Sequence, residues 1–191
     1  MTSHASSGVQ GLHHNAYRCR DSEETRCFYE EFLGLPLAAT LEIEVTKTGR
    51  KSHHLHTFYR LDDGSFLAFF EVPDMPFVFR DQHDFDLHIA LEVPYPHMEV
   101  MLAKGQARGM ETRGISDHGF IHSIYFRDPN GYVIELTARM PNHASATDGT
   151  VNGAREKLDA WQRSKPSSTQ TIPTRPAMGP EVNSTVSGDR P

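Results

Sequence analysis

DHGFIHSIYFRDPNGYVIELT, residues Asp117–Thr137, reads as strand, turn, strand. Ile121–Arg127 and Tyr132–Thr137 are rich in β-branched and aromatic residues, and Asp128-Pro129-Asn130-Gly131 between them has turn chemistry. In the second strand Val133, Glu135 and Thr137 share one face, and Tyr132, Ile134 and Leu136 share the other. Glu135 is therefore a carboxylate inside an apolar strand, and burying it is costly unless a cation or donors compensate. A metal ion is one such compensation, which directs attention to the histidines upstream.

Composition narrows the classes. The 191 residues suffice for one domain with a substantial core. A formal net charge of −6 carries no basic bias, so nucleic acid and anionic membrane are poor partners. Two cysteines, Cys19 and Cys27, make no disulfide framework, and both read as small core residues. No apolar run approaches a membrane span, and MTSHASSGVQ lacks the apolar centre of a signal peptide, so a cytoplasmic location is expected.

Working outward, the chain contains a repeat. Residues 1–10 read as a disordered lead. His14–Asp21 is a strand running into a helix cap, with Asp21 and Glu24 as a capping-box-like start. Phe28, Tyr29, Phe32 and Leu33 form a helical stripe ended by Gly34 and Pro36. Strands follow at 37–46, 54–61 and 65–72, separated by Lys47–Arg50 and by the Asp62-Asp63-Gly64 turn. The pattern βαβββ then restarts. His88–Val93 is a strand, and Pro96 opens a helix carrying Met98, Met101 and Leu102 that Gly109 stops. Strands at 111–115, 120–127 and 132–138 complete a second βαβββ. The fold class is α+β, with modules at about 11–80 and 85–139 forming a curled mixed sheet. Beyond Met140 lies a linker and a short helix, Ala154–Gln162, whose Leu158 and Trp161 are expected to dock on the domain. From Ser164 onward 16 of 28 residues are Ser, Thr, Pro or Gly, the composition of a disordered tail.

Aligning the modules locates a site. His14-x-Ala16 matches His88-x-Ala90, and Asp63-Gly64-Ser-Phe-Leu-Ala68 matches Asn130-Gly131-Tyr-Val-Ile-Glu135. Equivalent positions are thus His14, Ala68, His88 and Glu135. Three of these are metal donors and the fourth is a methyl group. Two histidines and one carboxylate are the set associated with open-site non-haem Fe(II) enzymes. His13, of opposite parity, is expected to turn away from His14. Arg18 and Glu92, at matching repeat positions, are expected to pair. One of His53, His54 or His56 is a further pocket candidate; the remaining histidines read as solvated or structural.

With those residues placed, the sequence resembles the vicinal oxygen chelate superfamily, which includes glyoxalase I, bleomycin-resistance binding proteins, fosfomycin-resistance thiol transferases and type I extradiol dioxygenases. The resemblance covers roughly residues 11–139. It rests on HHNAYRCRD with CFYEEFLGLPL, on LHIALEV and on SIYFRDPNGYVIELT. It implies paired βαβββ modules around a metal, with His14, His88 and Glu135 as ligands, and a homodimer. It also implies that Tyr125 points toward the ligand pocket. Ala68 stands where glyoxalase I usually has a fourth ligand, which counts against that activity.

The implied reaction is Fe(II)-dependent extradiol cleavage of a catechol-like ring with O2, an aromatic-catabolic oxidoreductase step. Tyr125 would hydrogen-bond a substrate oxygen, and His118, in a Gly-containing loop, would act as acid and base. His122 is a second candidate for that role, but its parity opposes that of Tyr125 unless a bulge intervenes. With Mn, Ni or Zn the same site would suit a glyoxalase-like isomerase, a lyase or a thiol transferase. A non-catalytic binding or resistance protein is the alternative from another class.

Overall fold

The computed structural model describes residues 8–45, 51–80, 83 and 85–165. The expected connection Lys47–Arg50, most of the lead and most of the tail lie outside these residues. The architecture is α+β, with two four-stranded mixed sheets in two compact units.

In the first unit, β1 (Tyr17–Arg18) leads to α1 (Ser22–Arg26), which continues as a π-helical turn over Cys27–Phe32. The Asp21 carboxylate accepts from the Glu24 N–H at 2.8 Å, the N-terminal half of the expected box. The widening was not expected: Leu33 N–H reaches the Phe28 carbonyl, five residues back. It ends at Gly34, whose φ of 84° suits a residue without Cβ. Strands β2 (Leu37–Val45), β3 (Lys51–Arg60) and β4 (Phe66–Glu71) form a meander, giving the order β1-β4-β3-β2 with β1 parallel to β4. Tyr29 is fully buried, its ring 4.6 Å from Phe69 and 5.5 Å from Tyr59 on one face of this sheet. Burying a large apolar side chain of this kind contributes roughly 1.5–3 kcal/mol.

The second unit repeats the plan. β5 (His88–Glu92) is parallel to β8 (Val133–Arg139), and β6 (Thr112–Asp117) and β7 (Ile121–Arg127) complete the order β5-β8-β7-β6. Helix α2 (Tyr95–Ala107) buries Met98, Met101 and Gly105. A Cβ at Gly105 would stand 2.5 Å from the Phe126 ring, so glycine is what lets α2 lie this close to β7. The backbone register bears out the repeat: His14 bridges Phe66 as His88 pairs with Val133, and Ala90 faces Glu135.

The Asp128–Gly131 turn belongs with the first unit. Asp128 accepts from the Tyr29 hydroxyl at 3.0 Å, and Asn130 donates to the Thr25 hydroxyl at 3.2 Å while accepting from the Arg20 N–H at 2.8 Å. The turn is therefore a buried polar anchor as well as a reversal.

Several expectations are corrected. Cys19 is buried, but Cys27 is exposed, because the π turn directs Phe28, Tyr29 and Phe32 at the sheet and Cys27 outward. A short helix α3 (His143–Thr147) occupies part of the supposed linker. Helix α4 (Ala154–Ser164) forms where expected and takes in Ser164, but it does not dock: Leu158 is 49% and Trp161 64% exposed. Two apolar side chains on an otherwise charged helix offer little area to bury. Within its own unit Glu92 takes Arg139 as ion partner at 2.6 Å, and within its own unit Arg18 donates to the Met75 carbonyl at 2.7 Å.

Candidate metal centre

Strand parity builds the site in the second unit. Glu135 lies directly opposite Tyr125 on β7, and Tyr125 opposite Arg113 on β6, so all three project from one face. Ile134, Leu136 and Phe126 project from the other, toward the buried methionines of α2. Glu135 is only 6% exposed, a carboxylate in an environment that would otherwise take an apolar residue.

Its partners form a chain. The Tyr125 hydroxyl donates to Glu135 Oε1 at 3.2 Å and lies 2.8 Å from His118 Nε2. With its single proton given to the carboxylate, the tyrosine oxygen must accept, so His118 carries its proton on Nε2 in this arrangement. On the other side His88 Nε2 stands 3.3 Å from Glu135 Oε2. Desolvation, with the Glu135 charge next, raises Tyr125 above the ordinary phenol value, so it stays protonated at neutral pH. A cavity of about 290 Å³ opens over this chain, with Phe85, Phe120 and Ile121 as apolar wall. The pairing of an imidazole with a buried carboxylate at the floor of a cavity is a donor set that fits a divalent ion.

Among the sequence candidates, the fold brings His88, Glu135, Tyr125 and His118 together. His122 is placed elsewhere: its ring meets Tyr95 at 5.3 Å, on the face of β7 opposite Tyr125. The reason is register, since β7 pairs with β8 without interruption and the neighbouring irregularity falls in β6, between Arg113 and Ser116. Among the described residues no three His, Cys, Asp or Glu side chains gather as a metal-holding group.

His14 belongs to the first unit. Its ring lies 5.5 Å from Phe58 and 6.1 Å from His56. His13 does not turn away: its Nδ1 is 2.8 Å from His14 Nδ1. His14 makes an isolated bridge instead of sitting in a regular strand, so strict alternation does not govern its neighbour. His56 and His54 are buried, His56 stacking on Phe70 at 3.6 Å, with Nδ1 3.0 Å from the Phe69 carbonyl. Burial lowers the basicity of both. The first unit's equivalent of Tyr125–Glu135 is the cross-strand pair Phe58–Ala68, so this polar cross-strand pair has an apolar counterpart in the other copy of the repeat.

Arg113 was missed in the sequence. Its guanidinium carbon lies 4.6 Å from the centre of the Tyr125 ring, and it lines the cavity. The available signal was its place on the strand before Tyr125. The β6 irregularity at Gly114 hid the register.

The fold and sequence have known counterparts. A glyoxylase/bleomycin resistance protein/dioxygenase domain from Frankia sp. EAN1pec superposes with a TM-score of 0.56 at 17% identity, covering 70% of this chain and all of that one. The fosfomycin resistance protein FosX of Listeria monocytogenes, solved with Mn(II) and sulfate, gives 0.52 at 19% identity, covering 71% of this chain and 98% of that one. TnmS3, an antibiotic binding protein from Streptomyces sp. CB03234, gives 0.51 at 20% identity, covering 71% and 100%. At these identities the likeness concerns the fold. No curated protein matches the sequence. The family model described as Glyoxalase/Bleomycin resistance protein/Dioxygenase superfamily matches residues 11–136, about two thirds of the chain. On that match, and on a repeat whose register recurs in both sheets, the chain belongs to the glyoxalase/bleomycin resistance/dioxygenase superfamily.

Proposed function

We propose that this protein is a metal-dependent enzyme that cleaves a catechol-like ring by the extradiol route, using Fe(II). The observation that carries the reading is the contact chain His88–Glu135–Tyr125–His118 at the floor and rim of one cavity. His14, His88 and Glu135 are the ligands in this reading, His14 on the strength of its repeat-equivalent register. When bound, the ion would supply acidification of a ligated hydroxyl and a fixed meeting place for two reactants.

The chain's own residues supply the rest. Tyr125, held protonated, donates a hydrogen bond to a substrate oxygen once that oxygen displaces its contact with Glu135. His118, whose Nε2–H is turned to the Tyr125 hydroxyl, receives a proton from a substrate hydroxyl on Nδ1 and returns it later. Phe85, Phe120 and Ile121 hold an aromatic ring by apolar contact and limit water beside it. A cavity of about 290 Å³ has room for a single ring.

A second reading, thiol transfer or isomerisation with Mn, Ni or Zn, uses the same donors. It draws on FosX, whose structure holds Mn(II), and on the guanidinium in the cavity, which suits an anionic substrate. The test is metal content by inductively coupled plasma mass spectrometry of protein purified anaerobically, with Glu135→Ala beside it, followed by oxygen uptake on a catechol panel. Iron near one per chain, absent in the variant, with oxygen uptake is the expected result. Manganese, nickel or zinc would move the reaction to the second reading. Absence of metal in both proteins would overturn both and leave a binding protein.

A further inference from the structure

We infer that Asn142 is a positioning residue that holds His118 against Tyr125 from outside the repeat. This deepens the proposed function and rests on its assignment of His118 as acid and base. His118 and Gly119 are exposed on the loop that links β6 to β7, yet His118 Nε2 lies 2.8 Å from the Tyr125 hydroxyl. Holding one geometry on an exposed loop costs conformational entropy, so contacts must fix the backbone beneath the ring. Two hydrogen bonds close the loop on itself. The His118 N–H reaches the Ile121 carbonyl at 3.0 Å, and the Gly119 N–H reaches the Asp117 carboxylate at 2.7 Å. These set its shape. The side chain that ties it to a separate element is Asn142, whose Nδ2 donates to the Gly119 carbonyl at 2.8 Å across 23 residues of chain. That carbonyl belongs to the residue next to His118.

Asn142 is the N-cap residue of α3, a position where asparagine ordinarily accepts from an N–H of its own helix. Among the described residues its side chain makes no such bond, and the amide is turned to the loop instead. Its neighbours act on the same two residues. The Met140 N–H donates to the Phe120 carbonyl at 3.0 Å, and the His143 ring lies 5.9 Å from the ring of Phe120, part of the cavity wall. The start of α3 thus holds both the loop that carries His118 and the wall beside it. The other end of α3 is fixed separately, by Asn152 Nδ2 donating to the Ala146 carbonyl at 2.9 Å. The two amides therefore separate a role in holding the loop from a role in holding the helix.

The test is NMR of the chelator-treated full chain, reading the nuclear Overhauser contact between the His118 and Tyr125 rings, with steady-state oxygen uptake of the iron-loaded protein beside it. The His118 signals are identified by their disappearance in His118→Gln. Wild type should show the contact. Asn142→Asp keeps the shape and removes the N–H donor, and Asn142→Ala removes the whole group; both should lose the contact. Both should also lower kcat by about 10- to 100-fold with KM changed less than about twofold, the signature of a misplaced group that acts in the transition state. Asn152→Ala should keep the contact and the rate. A contact absent from wild type, retained in the Asn142 variants, or lost equally in Asn152→Ala would overturn the inference, as would an unchanged kcat in an active enzyme. Its failure is separable from that of the proposed function. Loss of the contact in the Asn142 variants, with wild type inactive on every catechol, removes the dioxygenase and keeps Asn142 as the residue that places His118. Oxygen uptake with a contact that survives both variants does the reverse.

Discussion

Glu135→Gln separates a carboxylate kept for a metal from one kept for the fold. The side chain is 6% exposed, with one hydroxyl donor at 3.2 Å and one imidazole nitrogen at 3.3 Å. Taking a carboxylate from water into a protein interior costs several kcal/mol, and one hydrogen bond to a charged group returns only about 1.5–3 kcal/mol. Glutamine has nearly the same shape. Its carbonyl can still accept from Tyr125, its amide can donate to His88, and it brings no charge to desolvate. Without metal, therefore, Glu135→Gln should be as stable as wild type or more so, by up to about 2 kcal/mol. That corresponds to a rise in Tm of up to roughly 4–8 °C for a chain of this size.

Metal binding should respond in the opposite direction. Loss of an outer-shell partner alone weakens metal affinity by about 10- to 100-fold, so loss of an anionic ligand should exceed a hundredfold. The assay is thermal unfolding of chelator-treated proteins, repeated with added Fe(II) under anaerobic conditions. At a free metal concentration near 100 times Kd, wild type should gain about 2.7 kcal/mol, and the variant should gain almost nothing. A variant that loses more than about 2 kcal/mol without metal, yet shows the full metal-induced shift, would refute the reasoning and make Glu135 structural.

His118→Ala should lower kcat by about 10²- to 10⁴-fold, the range of a general acid–base, while His122→Ala should change it less than about twofold; steady-state oxygen uptake distinguishes them, and equal losses would contradict the placement of His122 against Tyr95. Burial pushes the Cys19 thiol up from 9.0 to about 11, so the folded state holds its proton longer than the unfolded chain. The sign follows: that stability is fully present below pH 9 and is lost as pH rises toward 11, an effect of about 2–3 kcal/mol. Denaturant midpoints from pH 8 to 11 should fall less steeply for Cys19→Ala than for wild type, and parallel curves would refute it.

Much of the fold was legible because it is local and periodic. Asp21 was readable as a cap because a short acceptor before a helix has few other uses, and it accepts from Glu24. The strands around Asp128–Gly131 were readable from alternation and turn chemistry. The repeat added what neither module alone offered: its alignment of Ala68 with Glu135 survives as equivalent register in two sheets. Reading failed where regularity failed. The π turn exposed Cys27, the isolated bridge at His14 kept His13 beside it, and the irregularity in β6 concealed Arg113. Helix α4 failed differently, because propensity reports that a helix forms and says nothing of what covers it.

By itself, then, the sequence determined the two βαβββ modules, the faces of their strands and the odd carboxylate at Glu135, because hydrogen-bonding period and side-chain alternation are properties of consecutive residues. Only the tertiary structure decided that Tyr125 lies between Glu135 and His118, that His122 is turned away onto Tyr95, and that Arg113 lies over the Tyr125 ring. Those contacts depend on how strands distant in sequence align across a sheet, and one irregular position in one strand is enough to change which side chains meet.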